Sequence, residues 1–61
     1  MAQFRVIVKT WGVRRVYGRT FDSRSDAFRT VALALGYGYR DLLAPSEGMK
    51  ACIDVQPWPQ V

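Results

Sequence analysis

Between Gln3 and Lys9 the side chains alternate: Phe4, Val6 and Val8 fall on one side of an extended chain, Arg5, Ile7 and Lys9 on the other. A period of two over that length predicts a half-buried strand. A second run sets Arg14, Val16, Gly18 and Thr20 against Arg15, Tyr17, Arg19 and Phe21, with Gly12 punctuating the gap between the runs. Together they predict a β-hairpin with strands over residues 3–10 and 14–21.

The register decides what each face of the hairpin carries, because a slip of one residue sends every side chain to the opposite face. An odd-numbered loop centred on Gly12 sets Val8 across from Val16, Val6 from Gly18 and Phe4 from Thr20, which makes an apolar core face. The other face then pairs Arg5 with Arg19, Ile7 with Tyr17 and Lys9 with Arg15. Like charges opposed across a strand pair weaken it by roughly a few tenths to 1 kcal/mol each, so this arrangement points to an anionic partner. A two-residue turn at Gly12-Val13 or Trp11-Gly12 would set Val8 against Tyr17 or Arg15 and mix charge into the core face. The odd loop is therefore expected.

Residues 23–35 change period. Phe28, Val31, Ala32 and Leu35 recur at i, i+3, i+4 and i+7, which predicts an amphipathic helix lying on the sheet, with Arg24, Arg29 and Thr30 pointing away from it. Its ends are marked by a cap at Asp22 or Ser23, by Asp26 in the first turn and by Gly36, which suits the left-handed C-cap. Burying Phe28, Val31 and Leu35 stabilises by roughly 1.5–3 kcal/mol each. After the helix, "GYGYRDLLAPSEG" reads as a long connection, with room for one helical turn at Asp41-Leu42-Leu43 before Pro45. Alternation returns over residues 49–56, Ala51, Ile53 and Val55 against Lys50, Cys52, Asp54 and Gln56, and predicts a third strand. Pro57 and Pro59 cannot donate to a ladder, so residues 57–61 are expected to leave as an extended tail. Within it Trp58 either folds back over the core, the favoured reading, or serves as a contact site.

The order β-β-α-β predicts a single α+β domain over residues 1–61 in two layers: a three-stranded antiparallel sheet in the order 2-1-3, a right-handed crossover and one helix on one face. The second face is left uncovered. There the odd-loop register places Arg5, Lys9, Arg15, Tyr17 and Arg19, with Arg14 and Trp11 at the rim.

Composition sharpens this picture. The chain has 61 residues, near the lower limit for a core without disulfides or metal, and 49% of them are hydrophobic, which argues for a folded domain. Cys52 stands alone and there is no His, so no internal disulfide or zinc site is expected and no cofactor is implied. This usage fits a reducing compartment such as the cytoplasm. The first residues, "MAQFRVIVKT", lack the apolar run of a secretory signal, and no stretch approaches the roughly 18 apolar residues of a membrane span. Net charge is +4 and uneven: residues 1–40 carry eight basic and two acidic side chains, residues 41–61 one and three. Residues 4–21 hold five basic groups, four aromatic rings and no carboxylate. Such asymmetry implies an anionic partner.

Catalysis has little to stand on. There is no His, no Ser or Cys has a visible base, and Asp22, Asp26, Asp41, Glu47 and Asp54 are scattered. Cys52 has only Lys50 as a cationic neighbour and reads as inert. "GYGY" follows no strand and precedes no phosphate-loop lysine. A non-enzymatic binding module is therefore expected, an inhibitor or adaptor engaging an acidic protein surface through Arg5, Lys9, Trp11, Arg14, Arg15, Tyr17 and Arg19. The alternative is nucleic-acid binding by the same face, with phosphate contacts from the cations and bases stacked on the rings. The plainer reading is a sheet merely solubilised by its basic residues. Edge strands also invite self-pairing; strand 2 is guarded by its charges, so a homodimer would form through strand 3.

Overall fold

The computed structural model describes residues 2–59. β1 (Gln3–Thr10) is the central strand, flanked by β2 (Val13–Phe21) and β3 (Ile53–Trp58), both antiparallel to it, in the order β2-β1-β3. α1 (Arg24–Ala34) packs on one face, and the short helices α2 (Tyr39–Leu43) and α3 (Glu47–Cys52) follow. The α+β class, the sheet order and the covering helix are as expected. No helix among the described residues is long and apolar enough to cross a membrane.

The hairpin register differs from the expected one, and β2 is turned over as a result. Thr10 pairs with Val13, Lys9 with Arg14, Val8 with Arg15 and Ile7 with Val16, around a two-residue Trp11-Gly12 turn. The pairing then jumps to Arg5 with Thr20 and Phe4 with Phe21, so that Val6 faces Tyr17, Gly18 and Arg19. A bulge with two extra residues keeps the in-out alternation of β2 in phase along its length. The buried side is therefore the one carrying Tyr17 and Phe21, and not the one carrying Val16, Gly18 and Thr20. Aromatic area explains the choice: a ring brings 150–250 Å² to a core, worth roughly 4–6 kcal/mol at 25 cal/mol per Å² and more than Gly18 and Thr20 can offer. Phe21 is 4% exposed. Arg15 lands on the same side as Val8 but stays exposed, so the charge does not enter the core.

α1 begins where Ser23 accepts from the Asp26 N–H at 3.1 Å and ends in a Schellman motif, with Gly36 N–H to the Leu33 carbonyl and Tyr37 N–H to the Ala32 carbonyl. Gly36 takes φ 97, which only glycine adopts cheaply. The buried face of α1 is Ala27, Val31 and Ala32, with Phe28 partly buried, whereas Leu35 is 43% exposed. Phe28, Val31 and Ala32 of the expected face are kept, and Ala27 at its N-terminal end takes the place of Leu35. Ala27 is fully buried and permits close approach to the sheet, and Met49 of α3 supplies one of the largest fully buried side chains of the core. Arg24 does not point away either. Its Nη1 donates to the Val55 carbonyl of β3 at 3.0 Å and its guanidinium lies 5.0 Å from the Phe4 ring centre.

The third strand begins at Ile53, not at residue 49. Residues 47–52 form α3, capped by Ser46, whose hydroxyl accepts from the Met49 N–H at 3.1 Å. Ser46 directly after Pro45, with Glu47 in the first turn, is a helix start that overrides the alternation of Ala51 and Ile53. α3 passes straight into β3, and Pro57 and Trp58 extend that strand opposite Phe4 and Gln3 instead of opening a tail. An edge strand tolerates the proline. Gln60 and Val61, the end of the expected tail, lie outside the described residues. α2 enlarges the single turn expected at Asp41–Leu43, and the carboxylate of Asp41 accepts from the N–H of the N-cap residue Gly38 at 2.8 Å.

Candidate interaction surface

The observed register distributes the seven predicted site residues over two faces and a tip. Arg5, Lys9 and Arg14 lie on the sheet face that α1 leaves uncovered, together with Ile7, Val16 and Thr20. β3 adds Asp54, Gln56 and Trp58 to the same face. Arg15, Tyr17 and Arg19 lie on the helix side. The expected pairs Arg5–Arg19, Ile7–Tyr17 and Lys9–Arg15 are replaced by Arg5–Thr20, Ile7–Val16 and Lys9–Arg14. Lys9 opposite Arg14 is thus the like-charge pair that remains.

Much of the open face is internally compensated. Lys9 Nζ lies 3.7 Å from Asp54 Oδ2, and that carboxylate oxygen also accepts from Gln56 Nε2 at 2.7 Å. The Arg5 guanidinium lies 4.1 Å from the centre of the Trp58 ring, a cation–π contact that occupies both groups. Arg5 Nε is buried there without a hydrogen-bond partner. Trp58 is therefore placed on the sheet's open side and does not fold back over the core. On the helix side Tyr17 is half-buried against the core, its ring 6.0 Å from that of Phe21, and the Arg19 guanidinium sits 4.4 Å over Phe21.

The turn end of the hairpin is different. Trp11 and Gly12 both have positive φ, 52 and 74, the combination a type I′ turn requires. For Gly12 this is free; for a side chain as large as Trp11 it is uncommon and costs energy. The indole repays none of it by packing, being 100% exposed. Beneath it, between β2 and the C-terminal end of α1, runs a groove of about 540 Å³ lined mainly by Val8, Trp11, Val13, Arg15, Tyr17 and Leu35. Val13, Val16 and Leu35 are all substantially exposed here. Singly exposed apolar residues are ordinary, whereas here three of them cluster around one concave surface.

Val13 and Leu35 were not expected in a site, and Val16 and Leu35 were expected in the core. The signal that could have found them is the size contrast along β2: once Tyr17 and Phe21 claim the inside, Val16 must face out. The two edges of the sheet also differ. β2 offers an unpaired outer edge, while β3 carries Pro57, which has no N–H, and its Val55 carbonyl is bound by Arg24. Comparison with protein-family models, curated proteins and solved structures finds no match.

Proposed function

We propose that this chain is a small non-enzymatic binding module, an adaptor or inhibitor, whose hairpin end engages an acidic protein surface. The observation that carries the reading is Trp11: a fully exposed indole held in a left-handed turn conformation above an apolar groove. The turn needs the left-handed backbone, but a tryptophan there is strained and packs on nothing, and local strain of this kind clusters where function needs it. Tryptophan, tyrosine and arginine are the residue types that dominate protein interfaces. Trp11, Tyr17 and Arg15 line the groove, and Arg14 and Arg19 flank it along β2. The excess of cations in residues 4–21 steers an acidic partner toward this end.

The nucleic-acid alternative requires ring faces beside cations on the open sheet. Tyr17 lies on the other side, and the Trp58 ring on the open side is already in contact with Arg5. That geometry favours the protein reading. The test is purification of the tagged chain from its native host with nuclease present, comparing wild type with Trp11→Ala and Arg15→Glu. A stoichiometric protein partner should be retained by wild type and weakened by on the order of 2 kcal/mol, roughly 30-fold, by Trp11→Ala. Binding that vanishes with nuclease, or that ignores both substitutions, overturns the reading.

A further inference from the structure

The groove does more than offer a concave spot, because of where it lies. Its lining includes Val13, Arg15, Val16, Tyr17 and Gly18, residues of both parities along β2. With Val8 of β1 and Leu35 of α1 it lies on the helix side of the sheet, and through Val16 and Gly18 it reaches the margin of β2. β2 is the outermost strand, so that edge has no neighbour in the sheet. With Thr10 and Val13 closing the two-residue turn, the alternation of an antiparallel ladder directs the N–H and C=O of Arg14 and Val16 outward.

Resting on the binding-module reading above, we propose that the partner is taken as an extended acidic segment that adds to the outer edge of β2 as a fourth strand. Main-chain hydrogen bonds would supply affinity, and the groove would select alternate side chains. The charges name the chemistry. Arg14 and Arg15 present cations on the two faces of the edge at successive positions, whereas Val13 and Tyr17 on the groove face and Val16 on the open face are apolar or aromatic. The complementary strand therefore carries two adjacent carboxylates, with apolar residues on either side of them. A second copy of β2 does not fit, since it would set Arg14, Arg15 and Arg19 against their own kind. The β3 edge is less suited to any added strand, because pairing there must displace Arg24 from Val55 and meets no donor at Pro57.

The experiment uses the full chain and synthetic peptides with the core Leu-Val-Glu-Glu-Val, the order that suits antiparallel addition, and Val-Glu-Glu-Val-Leu for parallel addition. Amide hydrogen exchange is followed residue by residue by NMR. One of the peptides should bind and slow exchange at Arg14 and Val16 by at least tenfold, while leaving β3 amides unchanged. N-methylation of alternate peptide amides should abolish binding although every side chain is kept, and Glu-to-Lys peptides should not bind. Absence of binding by both peptides, or equal binding by the N-methylated forms, overturns strand addition, as does protection at β3. Those results leave the nuclease-resistant partner and its dependence on Trp11 untouched, so the two readings fail separately. Preference for a single-stranded oligonucleotide over both peptides, with loss of the partner under nuclease, would sink both.

Discussion

Trp11→Asn should make the protein more stable and less able to bind. The native residue holds φ 52 with its ring entirely in solvent. For an L-residue the left-handed conformation costs roughly 1–2 kcal/mol, and asparagine escapes much of this because its short side chain bonds the local backbone. Asn-Gly is also the preferred pair for a type I′ turn. Because the indole is as exposed in the fold as in the unfolded chain, no burial is lost to offset the gain. A net stabilisation of about 1 kcal/mol follows, which in a domain of this size raises the melting temperature by about 4–8 °C. Thermal and urea unfolding of both proteins, read by far-UV circular dichroism, measure it, with an unchanged urea slope confirming that the unfolded state is not altered. Binding to the nuclease-resistant partner is measured on the same samples. Equal or lower stability of Trp11→Asn would mean that the indole packs on the folded chain, and the argument from strain would collapse.

Two further substitutions probe the framework that holds the hairpin. Met49→Ala removes one of the largest fully buried side chains and should cost about 2–5 kcal/mol, comparable to the roughly 3–5 kcal/mol a core this small supplies. Collapse of amide dispersion in its NMR spectrum checks this, and Leu43→Ala, at a position 87% exposed, should change stability by less than about 0.5 kcal/mol. Arg24→Ala gives up the bond to the Val55 carbonyl and the contact with Phe4, and should destabilise by about 1 kcal/mol in urea titrations. A neutral result would show that α1 holds β3 through its apolar face alone.

The fold was readable where one signal dominated. The alternation at residues 3–9 gave β1 and its inward Phe4, Val6 and Val8 correctly, and Ser23, Asp26 and Gly36 marked α1 because each supplies a bond or a conformation the helix end needs. Where two signals competed, the weaker-looking one won. In β2 an apolar pattern of small residues competed with two aromatic rings, and the rings took the core, carrying Tyr17 and Arg15 to the helix side. At residues 47–52 an alternating pattern competed with a serine cap, and the cap started a helix that brought Met49 into the core. The candidate site suffered accordingly. The cationic and aromatic character of the hairpin and the prominence of Trp11 were legible, because composition and turn position do not depend on register. The division of Arg5, Lys9 and Arg14 from Arg15, Tyr17 and Arg19 was not, since it follows from the two-residue Trp11-Gly12 turn, and one residue more or less in a turn leaves no mark in a binary pattern. The groove itself joins Val8, Val13 and Tyr17 of the hairpin to Leu35 at the end of α1, a juxtaposition no local window contains.

The bond between Arg24 and the Val55 carbonyl, with Pro57 beside it, gives the sheet a closed margin opposite its receptive one. Under the strand-addition proposal, such a body accepts one guest at β2, and its far margin, among the described residues, is occupied by Arg24 and Pro57. Concentrated solutions should therefore contain discrete particles, because lateral stacking into filaments ends at the first addition.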